Sequence, residues 1–195
     1  MTKLLFTPTV LRLANNPENL DDEGLVEQAR KDVDAFAALY DRHVKSVYRY
    51  LYSKVGSSTD AEDLTSQVFL AAVESLHRYP SGVGFRAWLF GIARRKTADY
   101  YRKRRRHVLL DDLEMLPAPS ETLLAQVARG QSLRALAHII ARISEEEQEL
   151  LRLRFGGELS FTEISGLLGM KESAVKMRLY RLIERLQKAM EAGND

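Results

Sequence analysis

Cysteine is absent from the 195 residues, so the chain has no disulfide framework and no thiolate metal site. A reducing compartment, the cytoplasm, fits that composition. Long apolar runs are also missing. None approaches the ~20 residues a bilayer-spanning helix needs, so no membrane insertion is expected. Residues 1–16 carry scattered apolar side chains but no continuous apolar core ending in a small-residue cleavage site, so a secretory signal is not expected. Histidine is scarce: His43, His77, His107 and His138 are scattered, and none is paired with a nucleophile or a metal-ligand set. The chain therefore reads as no enzyme, with no catalytic residue, no metal and no cofactor. Strand signals are nearly lacking as well, while apolar residues recur with a helical period throughout.

Net charge is only +2, yet it is unevenly distributed. Residues 91–107 hold Arg94, Arg95, Lys96, Arg102, Lys103, Arg104, Arg105 and Arg106 against the single acid Asp99, a net +7. Residues 108–128 hold Asp111, Asp112, Glu114 and Glu121 with no base, a net −4. A block this basic is the footprint of a polyanion partner, although a solvated helix face or a basic tail has the same composition.

The periodicity predicts a first helix whose stripe runs through Phe36, Leu39, Tyr40, Val44, Val47, Tyr48 and Leu51. Gly56, Ser57 and Ser58 break it, and Thr59 with Glu62 reads as a capping box for the next helix. That helix carries Leu64, Val68, Ala71, Ala72 and Leu76 on one side and stops near Pro80 to Gly82. A third helix runs from Phe85 into the basic block. On it Arg95, Asp99, Arg102 and Arg106 share one face, and Leu89, Phe90, Ala93, Tyr100 and Tyr101 anchor the other. Trp88 could stack on unpaired bases but reads first as core.

Pro117 and Pro119 mark a boundary, and helical pattern resumes near Glu121. If about 20 linker residues were extended they would span roughly 65 Å, so the halves could act on separated targets. Capping boxes at Ser144/Glu147 and Ser160/Glu163, glycines at 156 and 157, and a turn at Gly169 then punctuate the C-terminal half. A short capped helix, a glycine turn and a longer basic helix are the layout of a helix-turn-helix. Val175, Leu179, Leu182, Ile183, Leu186 and Met190 fall within an arc of about 80°, the core seam. Ser173, Met177, Tyr180 and Arg181 lie opposite, flanked by Lys176 and Arg178. Lys171 stands where a side-chain N-cap is expected. The fold class is all-α: two small helical domains joined by a flexible linker, the second a helix-turn-helix.

DAEDLTSQVFLAAVESLHRY (60–79) followed by FRAWLFGIARRKTADYYRKRRR (85–106) resembles the second conserved region of bacterial sigma factors. SEEEQELLRLRFGGELSFTEISGLLGMKESAVKMRLYRLIERL (144–186) resembles the fourth. Both occur in order with no third domain between them, the pattern of the extracytoplasmic-function (ECF) group. The resemblance implies an N-terminal extension over 1–29, a region-2 domain over 30–107, an acidic linker over 108–128 and a region-4 domain over 129–195.

It further implies that Asp63, Ser66 and Gln67 dock on core RNA polymerase; the family usually has Gln then Glu at the last two positions. Arg94, Arg95, Asp99, Arg102 and Lys103 would recognise and help open the −10 element, and the family often has Asn where Arg95 stands. Ser173, Lys176, Met177, Arg178 and Arg181 would read the −35 element. The implied partners are core polymerase, promoter DNA and an anti-sigma factor. A conventional helix-turn-helix regulator acting without polymerase is the alternative, and it leaves residues 60–106 unexplained. A sigma-like decoy would lack these basic faces.

Overall fold

A computed structural model describes residues 20–80, 82–110, 136 and 139–192, with the side chains of 33, 34, 106–110 and 192 outside the description. The elements in chain order are α1 (Asp22–Ala29), α2 (Val33–Val55), α3 (Ser58–Ser75), a 3₁₀ turn (Leu76–Arg78), α4 (Phe85–Leu110), α5 (Glu145–Leu151), a π-helical turn (Arg152–Gly156), α6 (Phe161–Leu168) and α7 (Glu172–Ala192). Among the described residues there is no strand. Of the linker expected over 108–128, residues 111–128 lie outside the described residues, whereas 108–110 continue α4 past the boundary expected at 107.

Local chemistry sets most element ends. Gly56 turns the chain with φ 72. Ser57 follows in extended backbone, and its hydroxyl accepts from the Asp60 amide at 3.3 Å. The cap of α3 is therefore Ser57, two residues before the expected Thr59. The Ser57–Asp60 pair competes with Thr59–Glu62 for the same role, and the glycine turn decides in favour of the residue directly after it. The boxes at Ser144/Glu147 and Ser160/Glu163 both close reciprocally. Gly169 ends α6 in the left-handed region at φ 65. At the start of α7 the carbonyl of Lys171 accepts from Ala174 and Val175, while Glu172 in the first turn places negative charge where the exposed amides favour it.

The N-terminal domain wraps α1, α3 and α4 around α2. Leu39, Val47, Tyr50 and Leu51 of α2 meet Leu64, Val68, Phe69 and Ala72 of α3 and Phe85, Leu89, Phe90 and Ala93 of α4, all buried. Large apolar side chains of this kind contribute about 1.5–3 kcal/mol each when taken from water. Leu25 and Val26 of α1 belong to the same core, so the part of the expected extension from residue 22 onward is integral to the domain. Trp88 is half-buried, edge-on to Tyr79 and tilted against Phe85, which agrees with the packing reading. Tyr101, expected as an anchor, is 38% exposed, and its hydroxyl donates to the Lys54 carbonyl.

The C-terminal domain packs α5 and α6 against the seam of α7. Val175, Leu179, Leu182 and Leu186 are buried, with Ile183 and Met190 half-buried at the edge. The two domains do not stand apart. Leu150, Leu153, Leu159, Ile164, Val175 and Leu179 continue the cluster that begins at Leu25, so one apolar core runs through both. The π-helical turn seats against α2, and α6 lies against α4.

Candidate polymerase and nucleic-acid interfaces

Asp63, Ser66 and Gln67 project from the exposed side of α3, whose other side is buried through Leu64, Thr65, Val68 and Ala72. Ser66 donates its hydroxyl back to the Glu62 carbonyl at 3.0 Å, which fixes its rotamer on that surface. Leu70, 60% exposed, and Val73 continue the face by one and two turns. The sequence reading passed over these two because it followed only the buried stripe. The spacing 63, 66, 67, 70 (i, i+3, i+4, i+7) is the signal that places Leu70 beside the polar three.

On α4, Arg95, Arg102 and Lys103 are exposed. Asp99 pairs with Arg102 at 2.9 Å, three residues on along the same face. Both members are exposed, so this pair orients more than it stabilises. The side chain of Arg106 lies outside the described residues. Arg94 is different: its Nε meets Glu149 at 3.1 Å and its guanidinium donates to the Leu167 carbonyl at 3.4 Å, both in the C-terminal domain.

Behind the basic face, the Tyr100 hydroxyl donates to Asp60 at 2.9 Å and accepts from Arg104 at 2.7 Å. Burial, then the Asp60 carboxylate, pushes the Tyr100 phenol above its ordinary value, so it stays protonated and ties α3 to α4.

On α7, Ser173, Met177, Arg178 and Arg181 are exposed, with Tyr180 beside them at 61%. Lys176 bonds Glu172 at 2.6 Å and lies 5.5 Å over the Phe161 ring. The Glu172 hydrogen bond raises the Lys176 ammonium above its ordinary value, so it remains a full positive charge at the start of the helix. Arg178 stands 3.9 Å from Glu146, a loose exposed contact that a phosphate or a guanine edge can displace. The structure thus gathers each of the three residue sets on a single helix. It also gives Arg94, Lys54, Tyr50 and Glu149 a cross-domain cluster that local sequence signals did not mark.

A helical protein with two basic helix faces, one of them in a helix-turn-helix, is built to bind nucleic acid. Residues 39–107 match the family model "Sigma-70 region 2", and residues 133–186 match "Sigma-70, region 4". The chain is 35% identical over 174 residues to the ECF RNA polymerase sigma factor BldN of Streptomyces coelicolor, a match covering 85% of this chain and 64% of BldN. A solved structure of CnrH in complex with the cytosolic domain of CnrY is 26% identical with TM-score 0.61, covering 86% of this chain and 96% of that one. The sigma factor RpoE of Bartonella quintana, solved with the anti-sigma factor NepR, shares the fold at 22% identity and TM-score 0.58, covering 80% and 96%. The chain belongs to the ECF group of RNA polymerase sigma factors.

Proposed function

We propose that this chain directs core RNA polymerase to particular promoters through three surfaces. Asp63, Ser66 and Gln67, with Leu70 and Val73, dock the polymerase. Arg94, Arg95, Asp99, Arg102 and Lys103 engage and help open the −10 element. Ser173, Lys176, Met177, Arg178 and Arg181 read the −35 element. The observation that carries this reading is that none of these side chains is buried, although each helix that bears them buries its opposite face. Rigid helices with polar outer faces hold a reading surface in register, and arginine can bridge guanine acceptors or neutralise phosphates.

The function is one of binding. His43 Nε2 lies 2.8 Å from Asp22, and His77 accepts from Arg78 at 3.0 Å. Among the described residues no helix is long and apolar enough to cross a membrane. The proposed place of action is the cytoplasm with the polymerase, and an anti-sigma factor is the proposed restraint.

Purified chain added to core polymerase should create new transcript starts, mapped genome-wide, that share a −10 and −35 pair. Their absence with competent polymerase defeats the reading. Arg178→Ala or Arg181→Ala should lose about 1–3 kcal/mol of −35 discrimination while binding polymerase normally. Asp63→Ala should weaken polymerase binding first and leave promoter choice unchanged.

A further inference from the structure

We propose that Glu172 is a specificity-determining residue which, paired with Lys176, reads one G·C base pair of the −35 element, its carboxylate accepting from the cytosine amino group. The inference rests on the reading of α7 as the −35 helix and names the base pair these two side chains select.

Glu172 differs from its surroundings in sign. It lies in the first turn of α7, among Lys171, Lys176, Arg178 and Arg181. An acid in such a place repels phosphate and lowers affinity for every duplex alike. What it can gain is a donor on a base edge, and the cytosine amino group is the donor a carboxylate takes in the major groove.

The carboxylate is held from two sides. Oε1 meets Lys176 Nζ at 2.6 Å, and Oε2 accepts from the Thr162 hydroxyl of α6 at 2.7 Å. Those hydrogen bonds, Lys176 first, keep the Glu172 carboxyl below its ordinary 4.5, so both oxygens are acceptors at neutral pH. Each oxygen retains a free lone pair. Both side chains are open to a partner, 45% exposed for Lys176 and 38% for Glu172. Lys176 is further steadied over the Phe161 ring at 5.5 Å. A pair fixed in this way has little rotamer freedom left to lose on binding.

The order of donors and acceptors chooses the base pair. Lys176 has three N–H donors and gives one to Glu172, which leaves two. From Lys176 to Glu172 the pair therefore offers two donors and then an acceptor. A G·C pair presents the complement across the major groove: guanine N7 and O6 as acceptors, then cytosine N4 as donor. An A·T pair runs acceptor, donor, acceptor and leaves the match incomplete. Guanine O6 and cytosine N4 are hydrogen-bonded to each other, about 2.9 Å apart. The Lys176 ammonium and the Glu172 carboxylate are spaced alike, at 2.6 Å.

The test uses the full chain with core polymerase and the −35 element defined by its mapped starts, each base pair replaced in turn by the other three. The parent should prefer G·C at one position. Glu172→Ala should lose that preference, about 5- to 150-fold, and keep the others. Lys176→Ala should lose preference at the same base pair. The double variant should lose no more than the larger single loss, because both remove one contact. Thr162→Val, which unpins the carboxylate without removing it, should lose part of the preference. On a promoterless duplex Glu172→Ala should bind more tightly than the parent, the opposite of what damage to the helix-turn-helix would do. Glu184→Ala breaks a similar pair with Lys188, 2.7 Å apart further along α7, and should leave every preference as in the parent.

A Glu172→Ala chain that retains the G·C preference overturns the proposal. So do effects of Glu172 and Lys176 at different base pairs, or a uniform loss across all sequences. A parent that selects a −35 element without preferring G·C at any position overturns the proposal and leaves the functional reading standing. A parent that adds no transcript starts sinks both.

Discussion

Asp22 joins two side chains of α2 to the start of α1. One carboxylate oxygen lies 2.8 Å from His43 Nε2 and the other 3.1 Å from Arg42. His43 is 2% exposed, deep in α2 beneath Phe85, so the pair fastens the first helix to the centre of the domain. Burial alone would raise the Asp22 carboxyl. The hydrogen bond and charge of His43, followed by those of Arg42, outweigh burial and hold it below its ordinary 3.8. A depressed carboxylate favours the folded state where it is ionised, so its contribution is full above 3.8 and is lost as pH falls through the lower folded value. Asp22→Ala should therefore cost about 1.5–3 kcal/mol at pH 7, the range for hydrogen bonds to a charged group. Urea midpoints at pH 7 and at about pH 3 check it. A gap between parent and variant that stays the same size in acid would mean packing, and not the carboxylate, holds α1.

At the scale of the element, α3 has two faces with different tasks. Leu64, Val68 and Ala72 are sealed in the core, while Leu70 and Val73 lie open beside Asp63, Ser66 and Gln67. An exposed leucine adjoining a polar docking set gains only when a partner covers it. Burying it is worth about 1.5–3 kcal/mol, roughly ten- to a hundredfold in affinity. Leu70→Ser should thus weaken polymerase binding by about tenfold or more and leave the thermal midpoint unmoved, because no core contact is lost. Equal affinity in parent and variant would remove Leu70 from the interface. The helices themselves were legible in the sequence because their signals are local: Ser160/Glu163 and Gly169 delimit α6, and the seam of α7 follows from spacing alone. The N-cap of α3 was not, since Ser57/Asp60 and Thr59/Glu62 overlap and only the turn at Gly56 separates them. Nor was α1, which buries just Leu25 and Val26 and owes its place to Asp22 meeting residues about twenty positions away.

For the whole molecule, a net charge of +2 coexists with two basic faces because acids elsewhere in the chain balance them, Glu149 among them, which answers Arg94 across the domain boundary. In sequence the run Glu145–Glu149 shows only the Ser144/Glu147 capping box, and Lys54, 95 residues before Glu149, gives no local hint of a partner. Pairing over that separation follows from how whole domains seat, which neither periodicity nor capping encodes. It has a measurable consequence in salt. Each phosphate a protein neutralises adds about −0.9 to the slope of log affinity against log salt on duplex DNA. In this structure Arg94 Nε pairs with Glu149 at 3.1 Å. Glu149→Gln should free it, while Lys54 keeps its bond to Glu145. The variant should therefore bind a promoterless duplex with a slope steeper by about one contact, read by anisotropy between roughly 50 and 200 mM salt. Adding Arg94→Ala to Glu149→Gln should restore the parental slope, whereas Arg94→Ala alone should leave the parent unchanged. If Arg94→Ala flattens the slope of the parent itself, Arg94 already meets phosphate in the free chain and its pair with Glu149 does not shield it.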